Sequence, residues 1–302
     1  MKSTRNQILS IGEALWDCYG ERRHPGGAPV NLAFHVRMLG GETRIATAVG
    51  ADPDGDDLLA ELVRRGMEID LVQRDSCHPT GTVSVECPPG GEPRYRIQSN
   101  VAYDHLELTE PLRRTAETAS AICFGTLAQR NDKTRRTIEA CRSQAGDAIV
   151  LYDVNLRQSY YTPQIVRRSL EAADIVKLDE KEARVVPALL ELQVTEPLGF
   201  ARLLVDRFEV STVCITRGAR GCLVVTADQN LEIPGKSVRP LDPVGAGDAF
   251  TAAFLVATLG GKPATLCAEL ANSYAALKVE HEGAMPAIDP ARIQELRDRF
   301  GL

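Results

Sequence analysis

Residues 242 to 251 of the 302-residue chain read DPVGAGDAFT. Gly245 and Gly247 flank Ala246, and Phe250, Ala253, Phe254 and Ala257 follow at the i, i+3, i+4, i+7 spacing of a helix face. A glycine loop feeding a helix start aims several backbone N–H groups at one point, under the positive end of the helix dipole. That is a place for an anion such as a phosphoryl group. Glycine suits the loop because a side chain would block close approach and φ can be positive. Asp248 falls in the first turn, within reach of whatever the loop holds; taken alone, it would equally serve to cap the helix. The pattern is not the dinucleotide-binding G-x-G-x-x-G, because Phe250 stands at its third glycine. Nor is there a Walker loop: IPGKS at 233–237 ends correctly, but Asn230 stands where its first glycine belongs.

A second cluster spans His24 to Leu39, HPGGAPVNLAFHVRML. Pro25-Gly26-Gly27 is expected to turn the chain, with Asn31 in the opening of an apolar helix. Open backbone at Gly-Gly beside an amide side chain suits hydrogen bonding to hydroxyls, although a plain turn before a buried helix would read the same way.

The elements that must carry these residues alternate. Strands are expected at 7–12, 43–49, 121–126, 148–153, 173–178, 211–216 and 222–226, several of them continuously apolar, as suits a parallel sheet covered on both faces. Helical patterns lie between them. In DGDDLLAELVRRG the apolar face is read as Leu59, Leu62, Val63 and Gly66, with acids in the first turn and arginines in the last. Strand-then-helix repetition predicts a wound α/β sheet. Residues 80–103 break the rhythm with period-2 alternation around Pro88-Pro89-Gly90-Gly91, a β-hairpin that could join 13–20 in a small lid sheet. We expect one domain, 1–302, carrying that insertion.

Composition bounds the function. The chain is 44% hydrophobic and 25% charged, as soluble globular domains are. Thirty-five basic against 41 acidic residues give a net charge of −6, and the Arg-Arg pairs are scattered, which argues against a nucleic-acid partner. The cysteines show no C-x-x-C spacing and are read as buried free thiols. No run is long and apolar enough to span a membrane, and a Glu precedes any signal-length apolar stretch, so a cytoplasmic protein is expected.

GGAPVN and DPVGAGDAF, in that order and far apart, resemble the two signatures of ribokinase-like sugar kinases of the phosphofructokinase-B type. The likeness extends along the chain through GEALWD (12–17), DVNLR (153–157), TRGARG (216–221) and an Asn-containing apolar helix ending at EGAMP (282–286). DVNLR is similar to the DPNLR of the fructokinase and 2-keto-3-deoxygluconate kinase branches.

The resemblance implies a wound, mostly parallel sheet flanked by helices with a β lid, and transfer of the γ-phosphate of ATP to a sugar hydroxymethyl group. It implies Asp248 as base, with Gly245, Ala246 and Gly247 offering N–H groups to the phosphoryl oxygens. Asp17, Gly26, Gly27 and Asn31 would hold the sugar, and Arg157 the sugar or the phosphate. Thr216, Gly218 and Gly221 would meet the nucleotide phosphates and ribose, and Asn272 the adenine side. Asp179 and Glu182, in DEKE, match an N-x-x-E motif that arranges Mg²⁺ and its waters; Asp in place of Asn adds a negative charge. A monovalent cation such as K⁺ is implied near Asp242 and Gly283-Ala284, held mainly by backbone carbonyls. A homodimer through the lid edges is implied too. Fructose is the expected substrate, from GEALWD, DVNLR and NVAYDHL (100–106), with 2-keto-3-deoxygluconate, ribose or a nucleoside as alternatives. Tyr95, Ile97 and Arg157 are the expected specificity residues. The non-enzymatic alternative is a sugar-binding regulatory protein on the same fold.

Overall fold

Runs such as AICFG and IVLYD have no polar face to give to water, so each strand must be covered twice. The computed structural model describes residues 6–86 and 94–302, with backbone only for Val85, Glu86, Arg94 and Tyr95. Its strands are β1 (Gln7–Ile11), β2 (Leu15–Tyr19), β3 (Arg22–Gly26), β4 (Glu42–Gly50), β5 (Val72–Asp75), β6 (Gly81–Glu86), β7 (Arg94–Ile97), β8 (Ala121–Gly125), β9 (Ile149–Asp153), β10 (Ile175–Asp179), β11 (Thr212–Thr216), β12 (Cys222–Thr226) and β13 (Asn230–Ile233). The helices are α1 (Ala28–Met38), α2 (Pro53–Arg64), α3 (Glu110–Thr118), α4 (Asp132–Ser143), α5 (Pro163–Leu170), α6 (Glu182–Leu189), α7 (Pro197–Phe208), α8 (Ala246–Leu259), α9 (Ala264–Val279) and α10 (Pro290–Phe300).

The main sheet runs β13-β12-β11-β10-β9-β8-β1-β4-β5, parallel from β5 to β11 and antiparallel over β12 and β13. Alternate residues feed two cores. Ile122 and Phe124 of β8 face α3 to α7, while Ala121 and Cys123 face α1, α8, α9 and α10. Helix α8 is buried nearly all round, from Ala249 to Leu255, and each of its fully buried Phe or Leu side chains contributes roughly 1.5–3 kcal/mol. That burial fixes its N-terminus at the sheet's C-terminal edge. In α2 the buried face is Leu58 and Leu62, whereas Val63 is 52% exposed; the expected stripe is off by one position at its outer members.

A separate sheet, β3-β2-β6-β7, forms beside the body. Pro25 and Gly26, expected in a turn with Gly27, instead end strand β3, which pairs antiparallel with β2 from Leu15↔Gly26 to Tyr19↔Arg22. An edge strand needs no apolar alternation and accepts a proline, so Arg-Arg-His-Pro hid it. The Pro88-Pro89-Gly90-Gly91 turn, Cys87 and the Tyr95 side chain lie outside the described residues. Both roots of this sheet are tied down. Asp52 caps α2 by accepting from Gly55 N (2.8 Å), and also accepts from Thr80 N (2.8 Å) and the Thr80 hydroxyl (2.6 Å). Arg130 donates to Gln98 O (2.7 Å) and pairs with buried Asp104. Leu15, Val83 and Ile97 pack on Tyr103 and Leu127 beneath the sheet, so Ile97 is spent on packing.

Of the described cysteines, 123, 141, 214, 222 and 267 are buried free thiols; Cys77 is exposed, against expectation. Among the described residues no helix is long and apolar enough to cross a membrane.

Candidate active site

Parallel strands deliver their last residues to one edge, where α/β folds bind ligands. Here that edge carries Glu13 just past β1, Asp153 ending β9, Asp179 ending β10 and Thr216 ending β11. The N-termini of α1 and α8 converge on it, and with them the two glycine motifs. Asn31, in α1, donates from Nδ2 to Asp248 Oδ2 at 2.8 Å, bridging positions 217 residues apart. Asp248 is not the cap of α8. The cap position is Gly245, at φ 77°, where an added Cβ would stand 2.8 Å from Ala284 Cα. Glycine is therefore needed on two counts, the left-handed backbone and the close approach.

Beneath the loop lies a charge network that the motifs did not reveal. Lys177 and Asp153 are register partners on neighbouring parallel strands, both buried, with Nζ 3.1 Å from Oδ1. Asp153 Oδ2 accepts from the Thr251 hydroxyl at 3.0 Å, which also donates to Gly247 O at 2.9 Å. A Cβ on Gly247 would sit 3.0 Å from the Lys177 ammonium, so the glycine loop rests directly over a cation. Burial opposes that charge, but the Asp153, Glu182 and Asp248 carboxylates outweigh it and hold the Lys177 pKa above the ordinary value. The available signal was a lone lysine inside the apolar strand IVKLD. Asp248 itself is pushed up to about 6, by desolvation first and Asp153 second, against Asn31, Lys177 and Arg157.

The second half of the site hangs on the small sheet. Asp17 of β2 lies over β3, where a Cβ on Gly26 would be 2.2 Å from Asp17 Oδ2. The absence of a side chain at 26 is what lets this carboxylate stand there. Burial raises Asp17 to about 6, against the pull of Arg157 and His24. Gly27, at φ 109°, clears Glu13 O, which its Cβ would meet at 2.3 Å. Glu13, unflagged by the sequence, is buried. Its Oε1 accepts from Ala28 N at 3.2 Å, and its Oε2, like Asn31 Oδ1, has no partner among the described residues. Desolvation carries Glu13 to about 7, with Asp248 adding to the rise and Arg157 opposing it. Exposed Arg157 follows β9 between two left-handed residues, Asn155 (φ 39°) and Gln158 (φ 48°). Its charge acts on Glu13, Asp17 and Asp248 together, so the two carboxylates singled out by the motifs lie within the field of one guanidinium.

The remaining expected residues line the neighbouring edge. Thr216 and Gly218 lead into the β11–β12 turn, and Gly221 (φ 91°) packs against Ile233 O, which a Cβ would meet at 2.0 Å. Asn272 is bound to the fold, donating to Ile233 O (3.3 Å) and Pro234 O (3.2 Å). Asp179 and Glu182 cap each other: Asp179 Oδ1 accepts from Glu182 N and Glu182 Oε2 from Asp179 N, both at 2.8 Å. Glu182 Oε1 takes Leu156 N at 2.6 Å. With both Glu182 oxygens on backbone amides, this pair suits a hydrated Mg²⁺ held through its waters better than direct ligation. Among the described residues no cluster of three or more His, Cys, Asp or Glu could hold a metal ion by itself. Two hollows of about 500 and 340 Å³ open elsewhere, around Asp147–Val150 and around Leu39–Glu42, away from these groups.

Residues 8–291 match the family model described as pfkB family carbohydrate kinase. The chain belongs to the pfkB family of carbohydrate kinases. The kinase is 30% identical over 308 residues to a fructokinase of Escherichia coli, covering 96% of this chain and 98% of that one. An uncharacterized sugar kinase from Pyrococcus horikoshii, solved in complex with ATP, superposes with a TM-score of 0.84 at 28% identity, covering 96% of the kinase and 99% of its own chain. A double mutant of fructokinase from Vibrio cholerae, solved with fructose, ADP and potassium ion, shares the fold with a TM-score of 0.82 at 24% identity, over 98% and 99% of the two chains.

Proposed function

We propose that this carbohydrate kinase phosphorylates a hydroxymethyl oxygen of fructose with ATP, using Asp248 as base. The observation that carries the reading is the 2.8 Å bond from Asn31 to Asp248, which joins the sugar-side motif to the phosphate-side motif at one carboxylate. The acceptor hydroxyl gives its proton to Asp248; its oxygen bonds to the γ-phosphorus as the bond to the β–γ bridging oxygen breaks, and ADP leaves. A carboxylate raised to about 6 is ionised at neutral pH yet basic enough to accept that proton. The N–H groups of Gly245 and Gly247 face the phosphoryl oxygens, where charge develops, with Lys177 fixed beneath them. The Ala246 N–H, expected to join them, donates instead to Pro243 O at 3.1 Å and closes the loop on itself. Asp17, Gly26, Gly27, Asn31 and Arg157 orient the sugar. Thr216, Gly218 and Gly221 meet the nucleotide, and Asn272 supports its adenine side by holding the chain at 233–234. When bound, Mg²⁺ neutralises phosphate charge, held through water by Asp179 and Glu182.

The β2–β3–β6–β7 sheet acts as a lid that excludes water as it closes. Its edge strands, β3 and β7, are where a second copy would pair in a homodimer. A coupled ADP-release assay over fructose, 2-keto-3-deoxygluconate, ribose and nucleosides tests the substrate. Fructose should lead in kcat/KM by at least about tenfold, because one lost hydroxyl contact can cost that much. A different leader overturns fructose, and no turnover with any sugar favours the regulatory reading.

A further inference from the structure

The resemblance implies a monovalent cation between the Asp242 segment and the Gly283-Ala284 turn, and the fructokinase from Vibrio cholerae was solved with potassium ion. In this chain the region already holds a positive charge. Lys278, in the last turn of α9, is 0% exposed, and its Nζ donates to the main-chain O of Asp242 at 2.9 Å. Several acceptors beside it are also engaged. Asp242 Oδ1 takes Val244 N (2.9 Å) and Oδ2 takes Gly283 N (2.8 Å). Val279 O accepts from Leu241 N (2.7 Å) and Asp242 N (3.1 Å), and Lys278 O accepts from His281 N (3.0 Å). The two segments are thus closed on each other around an ammonium.

We infer that Lys278 is this kinase's tethered monovalent cation, doing from within the fold what an exchangeable K⁺ would do, so that turnover needs no added monovalent cation. An ammonium and K⁺ match in charge and are close in size, and both seek carbonyl oxygens. A second cation brought beside the buried ammonium would be repelled by it. Burial lowers the Lys278 pKa, while the Asp242 and Asp248 carboxylates favour its charged form. The consequence reaches the anion-binding loop through two short links. The ammonium fixes Asp242 O, three residues before Gly245, and Gly245 packs on Ala284 so closely that a Cβ would be 2.8 Å from its Cα. Lys278 is a positioning residue: it sets the height of the loop and touches no substrate. The inference rests on reading 245–248 as the phosphate loop; it does not depend on which sugar is phosphorylated.

The test compares the full-length protein and Lys278→Ala in KCl and in tetramethylammonium chloride at equal ionic strength. Melting is read without sugar, and ADP release with the best sugar of the panel. For the unaltered chain, kcat should agree between the two salts to within about twofold, with the same Tm in both. Lys278→Ala should lose about tenfold in kcat in tetramethylammonium at nearly unchanged KM for sugar. KCl should restore at least about threefold of that loss and raise the variant's Tm, by binding where the ammonium was. Lys278→Met, which fills the space without a charge, should be slow in both salts and unrescued. Activation of the unaltered chain by K⁺ beyond about twofold, or a K⁺-dependent rise in its Tm, overturns the inference, and does so even if the alanine variant fails to fold. So does an alanine variant that K⁺ rescues in neither readout, or one as active as the parent in tetramethylammonium. Because melting needs no substrate, a wrong sugar assignment leaves that readout standing.

Discussion

At the proposed phosphate end of the site the charged groups lean on one another; at the proposed sugar end they are held mainly by the shape of the backbone. Lys177 and Asp153, on inner strands of the main sheet, and Thr251 of α8 form a chain of bonds between 2.9 and 3.1 Å under the glycine loop. Asp17, by contrast, sits on the small sheet, over a glycine, steered by the fields of Arg157 and His24. The phosphate is common to every reaction of such a kinase, so its surroundings can be built into the core. The sugar is what varies, and the contacts proposed for it sit on elements that can change without disturbing that core. Asn31 and Glu13 lie at the join, each with one unpartnered oxygen among the described residues.

The largest effect expected is on stability. Lys177→Met leaves Asp153 buried without its cation, and chemical denaturation should show a loss of about 3–5 kcal/mol, the usual result of breaking a buried pair from one side. A loss under about 1 kcal/mol would mean that the phosphate end is not braced as described. Next comes Asp248→Asn, whose kcat should fall at least about 10²-fold with sugar affinity, measured calorimetrically, little changed.

The sugar end should respond in the opposite sense. In Gly26→Ala the new Cβ would lie 2.2 Å from Asp17 Oδ2 and must displace it. KM for sugar should rise about tenfold while kcat stays within about threefold. If kcat falls and KM holds, the two ends do not divide the work this way.

The smallest effect concerns Glu13. Its folded pKa of about 7 lies above the ordinary 4.5, so the native state binds this proton more tightly than the unfolded chain does. Its contribution to stability is present at low pH and is lost as pH rises from 4.5 through about 7. Glu13→Gln removes that dependence. The variant's Tm relative to the parent should therefore improve by a few degrees between acidic and mildly alkaline buffer, and a constant difference would remove Glu13 from the account.

Much of this was legible in the residues. The main strands announced themselves as apolar runs, and the glycine loops could be recognised because each needs an absent side chain at a fixed distance from a polar one. What could not be read depends on register and on edges. Lys177 and Asp153 are 24 positions apart and meet only because β9 and β10 align them. Strand β3 is charged, carries a proline and has no alternation, because an edge strand requires none. Asn272 could be placed on an apolar helix, but not its bonds to the carbonyls at 233 and 234. The α2 face shifted by one position because a helix's outer residues are decided by its neighbours, whatever their apolar character.

The central claim is that Asp248 takes the acceptor's proton. It is tested most directly by kcat at saturating sugar across mildly acidic to neutral pH, for the parent and for Asp248→Asn. Saturation engages Asp17 with the sugar and leaves the proton on Asp248 as the variable. The parent should lose activity with a one-proton slope below about pH 6, where its raised carboxyl is protonated, and the residual rate of the variant should be flat across the same range. The same acid limb in Asp248→Asn, or none in the parent, would contradict the account.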